Sequence, residues 1–364
     1  MHSGRALARV KLDAVRSNCA HLSRGTTLCA VVKADGYGHG ATRCALAAQE
    51  GGASWLAVAT AGEAAALRGD HVGGPILVMG ALTPEEAKVA VNADADVVAW
   101  NNDFLAALPR TEKKPRIHIK LDTGMGRLGT KDPAEAGDVA DAAGADAALE
   151  LVGLMTHFAT ADERGDDYFV RQLERFAVWV DEMRARHDQL IVHAANSSAA
   201  LRDPNAHFDM VRCGVAIYGL DPFQHDPSDR GLEPALSLES CVARVARFET
   251  GESAGYGRSW TAAQPTWVAT VPIGYGDGWR RGLSNNCDLL IRGKRHRVVG
   301  TVSMDNLTVD LGPETDVRPG DQVVLLGTQG GERILAEEVA RRIDTINYEV
   351  LVGLSPRVPR SYEP

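Results

Sequence analysis

The stretch LCAVVKADGYGHG, Leu28–Gly40, decides both the fold and the chemistry expected of this chain. Four apolar residues, Cys29 to Val32, are typical of a strand buried on both faces, and they run directly into Lys33. A glycine-rich loop is predicted to follow. An amine at the end of a buried strand loses hydration, which lowers its pKa and favours the neutral nucleophile. Schiff-base chemistry with an aldehyde cofactor would use such an amine; the alternative is a lysine that extends to the surface.

Similar apolar runs recur along the first 220 or so residues, separated by Ala-rich helical segments. Eight such β/α units in sequence predict an N-terminal (β/α)8 barrel of the TIM type, covered by helices. The clearest helix is predicted over residues 167–187, where apolar residues recur at spacings of four and three. Periodicity alone leaves an open doubly wound sheet as the alternative. The predicted strands are 28–32, 55–59, 75–79, 96–100, 116–121, 150–155, 190–194 and 209–217.

The pattern changes in the last third of the chain. Short strand candidates separated by Gly, Pro and Asn turns predict a mainly antiparallel β domain, with one helix over 334–343. We therefore predict a barrel domain over 1–232 and a β-rich domain over 233–364. The first ten or so residues are candidates to pack with the β domain.

Bulk properties exclude several classes of protein. The formal net charge of −9 argues against nucleic-acid binding, because no surplus of positive charge exists to neutralise phosphates. The N-terminal residues contain no apolar signal region, and no run approaches the length of a membrane helix. The six cysteines form no CxxC pair, so we expect reduced thiols, a cytoplasmic location and no metal site.

Polar motifs follow the predicted barrel strands. Lys33 ends the first strand, KLDTGMGRLG follows the fifth, MTHFAT the sixth and HAANSSAAL the seventh. The eighth strand contains MVRCGVAIYG. Because the carboxyl ends of barrel strands meet at one mouth, these groups are expected to lie close together.

Two of these motifs suggest binding of a charged group. The backbone amides of Gly214 and Val215, with Ser197 at a helix start, could hold a phosphate, although NSS is equally typical of a plain helix cap. Arg212 lies inside an apolar strand, where a charge must be paired or used. The structural alternative is an ion pair with Asp209 or Asp203.

Taken together, the motifs resemble the alanine racemases, pyridoxal-phosphate enzymes composed of a barrel and a β domain. The resemblance spans essentially the whole chain and keeps the family's order. Small departures are Asp35-Gly36 where Asn-Ala is frequent, Ser303 for cysteine and Ser259 for threonine. The matching segments are AVVKADGYGHG, IKLDTGMGRLG, GLMTHFA, HAANSSAAL, MVRCGVAIYGL, GYGRSW, PIGYGDGWRRGLSN, GTVSMDN and TINYEV.

The resemblance implies a site for pyridoxal 5′-phosphate, tethered covalently to Lys33. Arg212 would donate to the pyridine nitrogen. Because arginine is always charged, it disfavours ring protonation, which should suppress transamination and favour return of the proton. The implied phosphate ligands are Tyr37, Ser197, Gly214, Val215 and Tyr348, of which Tyr348 has a core aromatic as its alternative interpretation.

The resemblance also implies two catalytic bases. Lys33 would serve one face of the substrate α-carbon, and Tyr256 of the second subunit of a dimer would serve the other. His157 would hydrogen-bond the phenol, with Arg212 behind it, since nearby positive charge lowers a tyrosine pKa. Taken without the resemblance, His157 has a histidine of the hydrophobic core as its alternative interpretation. Tyr256 has an aromatic residue of a hairpin turn as its alternative.

Further residues are implied for the substrate. Arg127 would bind the substrate carboxylate and the partner's Met304 amide would assist. Lys120 matches a lysine that is often carbamylated in the family and orients that arginine; an ion pair with Asp122 or another acid is the alternative. Tyr275 and Asp305 would line the entrance, although Asp305 is also typical of a strand-end turn.

The leading hypothesis is therefore a cytoplasmic, homodimeric racemase of alanine that supplies D-alanine for peptidoglycan. Its nearest alternative is a racemase of serine or another small amino acid. A non-catalytic pyridoxal-phosphate carrier would resemble the barrel alone and lack the β domain. A barrel decarboxylase of basic amino acids would be expected to carry an acid where Arg212 stands.

Overall fold

A computed structural model describes residues 4–110, 113–163 and 165–364. The chain divides into two compact units. Val15–Ile217 form the first, and the N-terminal segment to Ala14 joins Tyr218–Pro364 in the second. The domain boundary between residues 232 and 233 stays a prediction.

The first unit contains eight parallel strands in a nearly closed barrel, which confirms the predicted architecture. Each of the first six strands pairs with the next, and the first pairs with the eighth in the register Thr27↔Met210, whereas within the described ranges the seventh and eighth strands form no ladder. Two backbone hydrogen bonds join the seventh strand to the eighth, from Asp209 to Val192 at 3.0 Å and from Arg212 to Ala195 at 2.9 Å. The strands are Thr27–Val31, Trp55–Val58, Ile76–Val78, Asp96–Ala99, Arg116–Lys120, Glu150–Met155, Ile191–His193 and Met210–Cys213. The eighth strand is shorter than predicted, because Val215–Tyr218 form a 3₁₀ turn.

Helices follow the strands, and several begin at residues suited to helix starts. Thr60 with Glu63, and Thr83 with Glu86, form capping boxes. The predicted helix over 167–187 is observed as Tyr168–Arg184, with Phe169, Phe176 and other apolar residues buried. The α-helices of this unit after the first strand are Ala41–Glu50, Ala61–Gly69, Pro84–Asn92, Asn102–Ala107, Pro133–Ala145, Tyr168–Arg184 and Ser197–Arg202; Leu12–Leu22 spans the division between the units. Lys33–Tyr37 is a separate short turn, in which Ala34 to Tyr37 have left-handed φ angles.

The second unit is a mainly antiparallel sheet, as predicted. Ala6–Lys11 lies within it, antiparallel to Leu236–Cys241 and parallel to Arg360–Glu363. The predicted helix over 334–343 is observed as Ala336–Arg342, and Asn347–Val352 is a second helix. The other strands are Arg244–Phe248, Ser253–Ala254, Trp260–Thr261, Thr266–Val271, Asp288–Ile291, Lys294–Val299, Leu307–Gly312, Gln322–Gln329 and Glu332–Ile334.

None of the helices in the described ranges is long and apolar enough to cross a membrane.

Candidate active site

Lys33 begins one turn of left-handed helix rather than the flexible loop expected from the glycines. Ala34, Asp35, Gly36 and Tyr37 have φ angles of 52°, 52°, 61° and 53°. For residues other than glycine this conformation costs about 1–2 kcal/mol each. Backbone hydrogen bonds close the turn, and Glu63 Oε1 accepts the Ala34 N–H at 2.7 Å. The turn therefore holds the residues after the lysine in a fixed arrangement.

The surroundings of the Lys33 amine lower its pKa from the ordinary lysine value. Burial lowers its pKa, and the positive charge of Arg127 lowers it further, while Glu63 acts in the opposite direction. Lys33 is therefore a better nucleophile at neutral pH than a solvated lysine.

Tyr37, Ser197 and Gly214 meet at the carboxyl ends of the first, seventh and eighth strands. A Cβ on Gly214 would lie 2.3 Å from Tyr37 Oη, so only glycine allows this approach. The Gly214 N–H donates to Ser197 Oγ at 3.0 Å. Asn196, and not Ser197, caps the helix by accepting the Ala199 N–H. The buried Val215 amide finds no acceptor in the described part of the chain.

We expect Gly214→Ala to weaken binding of a pyridoxal-phosphate cofactor by about 5- to 150-fold, because the new methyl group must displace the Tyr37 hydroxyl and overpacking costs about 1–3 kcal/mol. The measurement is cofactor affinity by equilibrium titration. The control is Gly62→Ala, near the start of a helix, where an added Cβ would make only an ordinary contact with Thr60 Oγ1 at 4.0 Å. If Gly214→Ala and Gly62→Ala bound the cofactor with equal affinity, the close approach of Gly214 to Tyr37 would not be needed for binding.

Arg212 is 3% exposed and is held by neutral acceptors. Its Nη1 donates to the His193 carbonyl at 2.8 Å and its Nη2 to the Thr156 carbonyl at 2.8 Å. Burial lowers its pKa to about 10, so it remains a cation at neutral pH. Among the described residues no ion pair involves Arg212: Asp209 pairs with Arg184 instead. Its Nε–H has no acceptor in the described ranges and is available to a ligand.

His157 lies beside this guanidinium. Arg212 Nη2 is 3.3 Å from His157 Nδ1. Because arginine can only donate, Nδ1 is the acceptor and the proton resides on Nε2. Burial and the neighbouring cations, Arg212 first, lower the His157 pKa well below its usual value. His157 is thus a neutral donor, suited to hydrogen-bond a phenolate.

Lys120 ends the fifth barrel strand and is 3% exposed. Burial, followed by the charges of Arg212 and Arg127, lowers its pKa to about 8. The alternative ion pair with Asp122 is not found within the described ranges. The Asp122 carboxylate instead accepts the N–H groups of Gly124 and Gly126 and so shapes the loop that carries Arg127.

Arg127 itself is exposed, and its side chain makes no hydrogen bond or ion pair to any described residue. It lies close enough to lower the pKa values of Lys33 and Lys120. An unengaged guanidinium beside two lysines is suited to bind a carboxylate.

The remaining predicted residues lie in the β-rich unit. Tyr256 is in a short turn and is 74% exposed; the Thr301 hydroxyl donates to its carbonyl at 2.8 Å. Tyr275 and Met304 lie on adjacent loops, because the Tyr275 N–H donates to the Ser303 carbonyl at 3.0 Å and the Gly276 N–H donates to the Met304 carbonyl at 2.9 Å.

Asp305 and Tyr348 complete this set. The Asp305 carboxylate accepts from Arg357 Nη2 at 2.6 Å. Arg357 also lies 3.5 Å from the buried Asp277, so it holds the Asp305 loop. Tyr348 lies in the helix Asn347–Val352 and is half-buried.

Sequence reasoning missed three supporting residues. The spacing of Thr60 and Glu63 in the sequence is typical of a capping box. Nothing in the sequence indicates that Glu63 also accepts a hydrogen bond from the Ala34 N–H. Arg357 carries no signal beyond its charge. His193, buried and 2.9 Å from Arg212 Nη1, could have been noticed as a polar residue in an apolar strand.

The residues of the barrel unit fit pyridoxal 5′-phosphate. Lys33 supplies an amine of lowered pKa for the aldehyde. The space left by the missing Cβ of Gly214 and the Val215 amide are suited to a phosphate. Burial raises the Tyr37 pKa, so the Tyr37 hydroxyl keeps a proton that it can donate. Arg212 Nε is a donor for a ring nitrogen.

Comparison with known proteins agrees with this chemistry. Residues 10–222 match the family described as alanine racemase, N-terminal domain, and residues 235–362 match alanine racemase, C-terminal domain. The chain is 44% identical to an alanine racemase of Symbiobacterium thermophilum, over 98% of this chain and 96% of that protein.

Solved structures give the same result. An alanine racemase from D-cycloserine-producing Streptomyces lavendulae has a TM-score of 0.94 and 37% identity, over 100% of this chain and 98% of that one. The Bacillus anthracis alanine racemase with bound L-Ala-P has a TM-score of 0.90 and 37% identity, over 100% and 96% of the two chains.

Proposed function

This chain belongs to the alanine racemase family, a family of isomerases, and from that membership we propose that it interconverts L-alanine and D-alanine with pyridoxal 5′-phosphate held on Lys33. The observation that carries the proposal is the Lys33 amine, whose pKa burial lowers, in the same barrel unit as Arg212 and His157. The charge of Lys33 contributes, as the smallest of several causes, to the lowered His157 pKa.

When bound, the cofactor supplies an electron sink that acidifies the substrate α-proton. Lys33 Nζ removes or returns that proton on one face, and Tyr256 Oη of a second subunit does so on the other. His157 donates its Nε2–H to the phenol oxygen, and the charge of Arg212 favours the phenolate. Arg127, with the partner's Met304 amide, fixes the substrate carboxylate so that only the α-hydrogen and the side chain exchange positions.

A homodimer follows from this scheme. Tyr256 and Met304 are 74% and 51% exposed on the β-rich unit, with Tyr275 at 42%. Apolar side chains at such exposure are suited to an interface. In the proposed dimer Tyr275 and Asp305 line the entrance and limit the substrate to small side chains, while Tyr348 joins Tyr37 and Ser197 at the phosphate.

The direct test supplies purified protein, loaded with pyridoxal 5′-phosphate, with L-alanine and L-serine in separate reactions. We expect D-alanine to form and the visible absorption of a lysine-bound cofactor to be present. D-serine formed faster than D-alanine would favour the serine alternative. An absorbance band without any D-product would favour a carrier or a decarboxylase.

Shared sites are tested by mixing chains. Lys33→Ala and Tyr256→Phe homodimers should both be inactive. A mixed dimer can assemble one complete site from the unmodified half of each chain, so activity should return after subunit exchange. Proven exchange without recovery would count against a site composed from two subunits.

Lys120 is proposed to carry a carbamate, formed when its neutral amine attacks CO₂ and releases a proton. With a pKa of about 8 the amine is half neutral at pH 8, and the carbamate should be lost as the pH falls below that value. We expect a ¹³C carbamate resonance after incubation with ¹³C-bicarbonate, absent in Lys120→Ala but present in Lys131→Ala. The KM for alanine should rise about 10-fold in Lys120→Ala, because Arg127 loses a charged hydrogen-bond partner. A spectrum without this resonance at pH 8.5 would leave Lys120 unmodified.

The cellular role is proposed as supply of D-alanine for peptidoglycan in the cytoplasm. All six cysteines are free thiols, five of them buried, which suits a reducing compartment.

A further inference from the structure

A column of buried polar side chains runs through the barrel interior from Arg212. Arg212 Nη1 lies 2.9 Å from His193 Nδ1, His193 Nε2 lies 2.9 Å from His118 Nδ1, and His118 Nε2 lies 3.1 Å from Asp96 Oδ2. His193, His118 and Asp96 are all 0% exposed. The column begins on the eighth strand and crosses the seventh and fifth to the fourth.

The barrel is shaped to admit this column. A Cβ on Gly153 would lie 2.6 Å from His118 Nδ1, so the sixth strand leaves space for the ring only by having glycine there. Trp55 packs edge-on against His118 with ring centroids 5.6 Å apart. His118 is therefore fixed by packing as well as by hydrogen bonds.

The protons in the column can point in only one direction. Arginine has donors only, so His193 Nδ1 must accept and its proton lies on Nε2. His193 then donates to His118 Nδ1, which places the His118 proton on Nε2, directed at Asp96. The Asp96 carboxylate accepts at this end, and its other oxygen accepts from Arg116 Nε at 2.6 Å.

We propose that Asp96, His118 and His193 are positioning residues that orient the Arg212 guanidinium and supply its counter-charge from a distance. This inference rests on the proposed function, with Arg212 Nε as the donor to the ring nitrogen of the bound cofactor. No carboxylate within the described ranges contacts Arg212. A carboxylate in direct contact would compete for the guanidinium donors and cancel the positive charge beside His157. Two neutral imidazoles keep the negative charge of Asp96 away from the reacting atoms while fixing Arg212 Nη1.

The first test uses the unmodified, cofactor-loaded enzyme labelled with ¹⁵N-histidine. Long-range ¹H–¹⁵N correlation spectra at pH 7 should show His193 and His118 as neutral rings protonated on Nε2; single substitution of each histidine assigns its signals. A His193 ring protonated on Nδ1, or on both nitrogens, would overturn the proposal. This measurement requires no catalysis.

The second test compares Asp96→Asn with Asp94→Asn. Asp94 also pairs with Arg116, at 3.0 Å, but does not belong to the column, so it is a matched loss of charge. Asparagine has one oxygen acceptor, whereas the Asp96 carboxylate has two. If the amide NH₂ faced His118, the proton of each histidine would move from Nε2 to Nδ1. His193 Nδ1–H would then point at the Arg212 Nη1 donor. We expect Asp96→Asn to change the histidine tautomers and the visible band of the bound cofactor, and to lower kcat about 10–100-fold with KM for alanine little changed, as loss of a supporting hydrogen bond does at other reactive centres.

Asp94→Asn should leave the tautomers, the band and kcat within about twofold of the unmodified enzyme. Identical behaviour of the two variants would refute the proposed role, whereas absence of racemisation in the unmodified enzyme would refute the proposed function alone. Should Asp96→Asn not fold, the spectrum of the unmodified enzyme decides.

Discussion

Lys33→Ala is expected to lower the rate of racemisation by about 10⁴-fold or more, because it removes both the covalent attachment of the cofactor and one catalytic base. The visible band of a lysine-bound cofactor should disappear with it. Lys88→Ala, at an exposed helical position, is the control and should retain both properties. A variant that kept the band would show that another amine holds the cofactor.

The pH dependence of cofactor attachment follows from the same amine. Burial lowers the Lys33 pKa, so the fraction of neutral amine at a given pH exceeds that of a solvated lysine. We therefore expect attachment to persist to lower pH than with a free lysine side chain, and to weaken as the pH falls through the Lys33 pKa. A titration of absorbance against pH, with a free lysine derivative as the reference, measures this difference.

Tyr256→Phe is the second large effect, with an expected loss of about 10²–10⁴-fold in racemisation, the usual contribution of a general acid or base. The substitution removes only the hydroxyl, so the fold should be preserved. Exchange of the α-hydrogen in D₂O adds a sharper prediction. The enantiomer whose proton faces Lys33 should still exchange without inversion, and its mirror image should not.

Tyr362→Phe, in the strand Arg360–Glu363 of the same unit, is the control and should exchange both enantiomers at the normal rate. If Tyr256→Phe exchanged both enantiomers equally, a different group would have to serve the second face.

Much of the fold follows from local patterns. Apolar runs such as Leu28–Val32 and the spacing of Phe169 and Phe176 predict buried parallel strands and an amphipathic helix from period alone. The barrel is confirmed, since eight β/α repeats bury such strands most simply by curving into one sheet. The antiparallel sheet of the β-rich unit follows from its turns in the same way.

Some site residues could also be predicted from the sequence. Lys33 and Arg212 stand out because a charge that interrupts an apolar strand has a cost unless it is used. The motifs on which the resemblance depends identify Tyr256, Arg127 and the predicted phosphate-binding residues by their positions within those motifs. Their roles at a common site are predictions.

Only the tertiary structure decided the rest. The left-handed turn after Lys33 receives a hydrogen-bond acceptor from Glu63, which follows the second barrel strand and reaches Ala34 only after folding. Asp96, His118 and His193 belong to three separate strands and form a column only when the barrel closes. Local sequence determines which residues are buried, because burial follows from hydrophobic period. Which buried polar groups meet depends on contacts between distant segments, and those contacts exist only in the folded chain.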